Sequence, residues 1–347
     1  MVKKKYVNSL LDWIKAILIA FILLLIIRII FIQSYTVESS SMEKTLLPGD
    51  NVVINKTKYG YRFPITLLTM PFNNDKYIDW IELPYLRFPS SNKIKRNDLI
   101  AFNYPNISDI PIDKKDIYIK RCIALPNDTI ECYGKKIMLN NKLIIENENV
   151  QNNYRVTTNG SKLKEEFFNK YDITEGHLVA DIGVYDLPLT KEQSMLLLND
   201  PKIRYVRLLK QLKGENSYII FPHSRYYNWN SDNFGPIIVP KKGTVIEINF
   251  KTIPLYKRII ETYEGNDLKI EKYRILINNK EQKTYTIKKN YFYVIDDNRD
   301  KAKDSRHWGF VPEDHIIGKP SFIWLSIDKN SKWYKKIRWS RFFKSIK

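Results

Sequence analysis

Between Ala16 and Ile32 a single charge, Arg28, interrupts an otherwise apolar run. Such a run constrains the chain more than any other feature. A bilayer offers no partner to backbone polar groups, so a segment of this kind must be a helix. A spanning helix needs about 20 mostly apolar residues, and the run reaches that length once Trp13 and Lys15 are placed at the interface. Arg28 lies near the far end, where its stem can snorkel to the head groups. Lys3, Lys4 and Lys5 put the short tail 1–8 on the cytoplasmic side, which makes 9–33 the anchor and exports everything after Gln33. A cleaved signal peptide fits the basic start and apolar core equally well. The length of the run and the lack of a following A-x-A site weigh against it. No second apolar run approaches spanning length.

The remaining chain belongs to a folded, exported protein. Hydrophobic residues form 44% of the 347 residues, enough for a sizeable core, which excludes wholesale disorder. The formal net charge is +19, but its lysines and arginines are spread along the chain as a generally basic surface. A nucleic-acid binder would be exported to the wrong compartment. Cys122 and Cys132 are the only cysteines, too few for a disulfide framework, and they are expected to be free thiols.

Strand signals dominate the chain beyond the anchor. "YTVESSSM" reads as extended, and "LLPGDNVVINK" as a Pro-Gly-Asp turn with a short strand, Asn51 to Asn55. "DLIAFNY", "IYIKRCIAL", "TIECY" and "KIMLNNKLII" recur with turn residues between them, and "TVIEINF", "YRILINN" and "TYTIKKNYFYVID" continue the pattern. Residues 60–92 form a proline-rich loop whose Phe63, Leu67, Leu68, Met70, Phe72 and Trp80 could dip into the lipid interface. Thr190 followed by Gln193 is a capping-box signature for a short helix. In the basic tail 331–347, Trp339, Phe342, Phe343 and Ile346 recur on one helical face, an amphipathic pattern suited to an anionic membrane surface.

Ser39, Ser40 and Ser41 stand in a row just after the anchor. A serine attacks only if a neighbour takes its proton and donors hold the oxyanion. None of the four histidines, His177, His223, His307 and His315, sits in a recognisable triad setting, and no G-x-S-x-G elbow occurs. The other solution is a lysine kept neutral by burial. Lys120, flanked by Ile117, Ile119, Ile123 and Leu125, is the candidate. Arg121 points to the opposite face of the same strand.

Four blocks in order resemble type I signal peptidase, the bacterial leader peptidase: Ser39–Met42 with "TLLPGD", "KRNDLIAF" (95–102), "YIKRCIALPND" (118–128) and "DDNRDKAKDSRHWGFVP" (296–312). Each is modestly specific. Together, behind an outward-facing anchor, they are highly specific. The resemblance implies Ser41 as nucleophile, Lys120 as its general base, and an oxyanion hole of the Ser39 hydroxyl and the Ser41 N–H. It also implies two extended segments, Tyr35–Thr36–Val37–Glu38 and Asp116–Ile117–Tyr118–Ile119, that take a signal peptide between them as an added strand. Shallow pockets there would admit small residues at the first and third positions before the cut. No metal, cofactor or nucleic acid is implied. The partners are preprotein signal peptides and membrane lipid. The place is a bacterial plasma membrane, with the catalytic domain on the outer side.

Several positions depart from the family pattern: Glu38, Ser40, Lys44, Ala124, Asn127 and, above all, Ala302. A serine at 302 would normally orient the lysine ammonium. Ser40, a water, or packing alone is the expected substitute. Counted from Asp296, the last block has Lys301 and His307 where a calcium loop needs glycine and glutamate, which excludes an EF-hand. It reads instead as a buried ion-pair network, with Asp297, Arg299, Asp300, Asp304, Ser305 and Arg306, joined by Arg121, bracing the site. The expected architecture is an antiparallel, mainly β catalytic core (34–132 and 286–330) with a large β-rich insertion (133–285). A self-cleaving-repressor type of Ser–Lys protease is disfavoured by the anchor and by the absence of a DNA-binding helix pair. A catalytically impaired, membrane-tethered binding protein of the same fold remains the alternative, and Ala302 is its support.

Overall fold

A computed structural model describes residues 2–66, 69–70, 73–77, 82–107, 110–215, 219–301, 303–329 and 331–346. Helix α1 (Val2–Ile30) opens the chain, and within it Leu11–Ile30 is long and apolar enough to cross a membrane and is covered by none of the other described residues. The chain passes directly from this helix into a sheet. Lys56 Nζ ties the two together by donating to the Ile29 carbonyl at 2.6 Å.

The main sheet is a curled antiparallel half-barrel. Its strands are β1 (Ile32–Thr36), β2 (Asp50–Asn55), β3 (Leu99–Asn103), β4 (Ile117–Ala124), β5 (Tyr291–Ile295), β6 (Val311–Pro312) and β7 (Ile316–Ser326). They lie in the order β1-β2-β7-β3-β4-β5-β6, and Lys344–Ser345 adds a short strand to β7. Strands β3 and β5 are buried along their whole length, so they read as continuous apolar runs rather than alternating ones. Gly49, at φ +90°, makes the turn into β2, and a Cβ there would fall 1.8 Å from the Ile327 carbonyl oxygen. Only glycine fits a left-handed position with backbone that close.

The register around β4 matters most. Along one edge β4 pairs with β3 throughout, with Ile100 opposite Lys120 and Leu99 opposite Arg121. Along the other edge β5 reaches it only from Arg121 onward, where Ile295 is the partner. Among the described residues no strand covers that second edge from Ile117 to Lys120.

The intervening region builds its own layers. Thr129–Tyr133, Lys136–Leu139, Lys142–Leu143 and Phe234–Ile238 form one sheet, and Gln151–Thr158, His177–Ala180, Val184–Thr190 and Ile203–Leu208 form another. The expected capping box is present: Thr190 Oγ1 accepts from Gln193 N, Gln193 Oε1 accepts from Thr190 N, and the helix runs Lys191–Leu198. Both cysteines are buried and free.

The tail departs from the helix expected of it. It forms 3-10 turns at Trp333–Lys335 and Trp339–Arg341, then the edge strand Lys344–Ser345. Arg341 is drawn inward by Asp50, with Nε and Nη2 donating at 3.0 and 2.6 Å, and Ile346 packs on the core. Sheet pairing and a buried ion pair outweigh a weak four-residue helical period. In the 60–92 stretch, Tyr61, Phe63 and Phe88 cluster their rings, while Leu83, Tyr85, Leu86 and Phe88 are exposed. Leu67, Leu68, Phe72 and Trp80 lie outside the described residues, as does Ala302, and the side chain of Met70 is likewise not described.

Candidate active site

The serine cluster sits in the turn between β1 and β2. The Val37 N–H donates to the Asp50 carbonyl and the Gly49 N–H to the Val37 carbonyl, both at 2.8 Å. Met42 is buried at the base of the turn and its sulfur accepts from Asp297 N. Asn298 N donates to the Ser41 carbonyl at 2.9 Å. The serine turn is thus fastened at both its backbone and its buried side chain to residues 297–298.

Those fastenings bring three side chains together. Ser41 Oγ donates to Asp296 Oδ1 at 3.2 Å, and Lys120 Nζ lies 2.6 and 2.5 Å from Oδ1 and Oδ2 of the same carboxylate. Ser39 Oγ donates to Ser41 Oγ at 3.2 Å. Among the described residues Ser41 and Lys120 share no hydrogen bond with each other, and the Ser41 N–H has no hydrogen-bond partner. Lys120 is buried on β4, with the Tyr118 and Trp308 rings 5.3 and 5.6 Å from its Nζ.

Asp296 carries no role in the sequence reading, and it corrects the expectation for Lys120. Ser40, a water or packing was expected to stand in for a serine at 302; the lysine's partner is instead the Asp296 carboxylate. Burial pushes the Asp296 carboxyl up to about 7, against the pull of the Lys120 ammonium. A signal for it did exist. Asp296 directly follows Ile295, the register partner of Arg121, so continuing the ladder sets Asp296 opposite Lys120.

Arg121 turns the other way and meets Asp297 in a two-pronged pair, Nε and Nη2 each donating at 2.7 Å. Thr45 Oγ1 also donates to that carboxylate, at 2.6 Å. Asp304 caps the turn Ser305–Trp308 and holds Arg306, whose Nη2 lies 2.8 Å from Oδ2. Burial alone would raise the Asp304 carboxyl, yet the Arg306 guanidinium holds it well below the usual carboxylate range. Asp304 Oδ2 accepts from Asp296 N at 3.1 Å, and Ser305 Oγ accepts from Val294 N at 3.0 Å. Arg299 pairs with Glu146 at 3.1 Å, while Asp300 pairs with Lys135.

A cleft of about 310 Å³ opens over Ser41. Tyr35, Val37 and Glu38 line one wall, Tyr118, Ile119 and Lys120 the other, with Met42 and Leu46 at its floor. Lys301 and Lys303 also line it. Thr36, Asp116 and Ile117 belong to the same two segments but do not line the cleft; Thr36 Oγ1 donates instead to Asn51. Of the uncovered stretch of β4, Tyr118, Ile119 and Lys120 line this space.

Residues 133–285, expected from the sequence only to enlarge the exported domain, reach the same loops. Thr174 bonds to Glu43, Lys44 pairs with Asp172 at 2.7 Å, and Lys301 with Glu175 at 2.6 Å. Gln151 N donates to the Asp297 carbonyl and Arg299 N to the Gln151 carbonyl.

The chain matches the family described as "Signal peptidase, peptidase S26" over residues 10–181 and 238–325. It is 28% identical over 321 residues to "Signal peptidase I" of Buchnera aphidicola subsp. Baizongia pistaciae, covering 92% of this chain and 78% of that protein. It is 25% identical over 311 residues to "Signal peptidase I" of Aquifex aeolicus, covering 87% of this chain and 81% of that one. A shorter match to "Signal peptidase I" of Haemophilus influenzae reaches 42% over 64 residues, 18% of each chain.

Proposed function

The chain belongs to the signal peptidase, peptidase S26 family, and from that premise we propose that it is a membrane-anchored serine endopeptidase removing signal peptides from exported preproteins. Ser41 is the nucleophile and Lys120 the basic member of the site. The convergence of Ser39, Ser41 and Lys120 on one cleft carries this reading. The substrate adds a strand between Tyr35–Glu38 and the uncovered edge of β4, held by main-chain hydrogen bonds. Val37 and Ile119 line the walls, and their branched side chains would favour small side chains at the first and third positions before the cut. Ser39 Oγ and the Ser41 N–H supply the oxyanion donors.

The anchor explains the position of the nucleophile. A signal peptide lies in the bilayer as an apolar helix, and its cut site emerges at the outer surface. A serine 11 residues beyond the end of α1 meets that bond at the same depth. Lys3, Lys4 and Lys5 set the catalytic domain outside, and Leu83, Tyr85, Leu86 and Phe88 offer an apolar contact to the lipid surface.

The test is cleavage of a preprotein in liposomes by the parent, Ser41→Ala and Lys120→Met. Cleavage after a small-x-small site by the parent, lost in both variants, is the expected result. A folded parent inert on several preproteins would leave a tethered binding protein as the better reading.

A further inference from the structure

We propose that Asp296 is a third catalytic residue, the group that takes the Ser41 proton while Lys120 holds its carboxylate in place. The proposal rests on the assignment of Ser41 as nucleophile. Its ground is the contact pattern. Ser41 Oγ has a carboxylate oxygen as its acceptor, and among the described residues Lys120 is joined to the serine through that carboxylate. A base must lie within hydrogen-bond reach of the proton it removes, and Asp296 Oδ1 satisfies that condition. Ala302 adds a reason: alanine brings no polar group to orient the lysine, and the bidentate carboxylate does so instead.

In the resting pair the amine and carboxylate together hold one proton beyond NH₂ and COO⁻. As Oγ bonds to the scissile carbonyl carbon, its proton moves to Oδ1, and the C=O π pair becomes the oxyanion lone pair. The pair now carries two protons. Collapse of the adduct breaks the C–N bond and the second proton passes to the leaving nitrogen. Water then repeats the sequence on the acyl-enzyme, giving its proton to Oδ1, from which Ser41 recovers it.

The groups facing Asp296 are Lys120 and Tyr118 from β4, and Asp304 and Arg306 from the turn after β5. Arg306 is committed to Asp304, which leaves Lys120 as the cation that answers the Asp296 charge. Burial then sets the carboxyl near the neutral range, where a general base works best.

The experiment compares full-length parent, Asp296→Asn, Ser41→Ala and Lys120→Met on one preprotein in liposomes, with melting temperatures and pH–rate profiles. Asp296→Asn keeps the shape and removes the basic oxygen. The expected result is a kcat lower by about 10²- to 10⁴-fold with little change in KM. The parent's kcat/KM should fall as pH drops through about 7, where the carboxyl becomes protonated. Asp296→Asn at or above parental kcat, with Ser41→Ala and Lys120→Met inactive, would overturn the proposal and make Lys120 the direct base. Retained cleavage by Ser41→Ala would instead overturn the underlying assignment. Should Asp296→Asn fail to fold, the parent's profile decides: activity level down to pH 5 would sink the idea.

Discussion

Arg121 and Asp297 offer a sharp test of how the site is braced. Their side chains are 2% and 0% exposed and joined by two 2.7 Å contacts. Arg121→Met strands a carboxylate in the core, and Asp297→Asn strands a guanidinium. Breaking a buried pair from one side costs roughly 3–5 kcal/mol, because a charge is left uncompensated. The double variant leaves no stranded charge, and the amide oxygen introduced by Asp297→Asn can still accept from Thr45. It loses mainly hydrogen bonds, worth about 1 kcal/mol each. The double variant should therefore be more stable than either single one. Denaturant unfolding of the full chain in detergent, followed by tryptophan fluorescence, measures this. Each single variant should also lose activity, since Arg121 adjoins Lys120 and Asp297 adjoins Asp296, and a shift of about 1 Å near reacting atoms can cost on the order of 100-fold. A double variant destabilised by the sum of the two singles would refute the reasoning, because the two side chains would then be energetically independent.

Thr190→Ala removes one half of the capping box and should lower stability by about 1 kcal/mol. Thermal unfolding reads this, while signal-peptide cleavage stays at the parental rate. Burial raises both thiols, that of Cys132 to about 12, so neither is a thiolate at neutral pH. Native protein should resist iodoacetamide, and unfolded protein should take two labels by mass spectrometry; rapid native labelling would contradict the packing around them.

Local signals made much of the fold legible. The long N-terminal helix follows from its unbroken apolar run, and the helix at Lys191–Leu198 from a cap whose two hydrogen bonds lie within four residues. The "PGD" turn is legible because Gly49 needs positive φ. The tail misled because its helical period spans only a few residues. Whether Lys344–Ser345 becomes helix or strand depends on β7, an edge some 20 residues upstream that the local pattern does not encode.

The site divides in the same way. Ser41 and Lys120 are recognisable because each lies in a block with its own spacing. Asp296 lies in such a block too, yet its role depends on a residue 176 positions away. What the sequence does contain is a charge balance: Lys120–Arg121 in one apolar strand, Asp296–Asp297 at the end of another. Two buried cations require two buried anions, and side-chain ion pairs match them, Lys120 with Asp296 and Arg121 with Asp297. The Arg121–Asp297 pair holds Thr45, and the Lys120–Asp296 pair touches Ser41. A lysine kept neutral by apolar burial and a lysine sharing a proton with a carboxylate differ in which atom meets the serine. The first places an amine there, the second an oxygen whose basicity is set by burial and by its lysine. An active site of the second kind tolerates alanine at 302, because the carboxylate orients the lysine as well as accepting the proton.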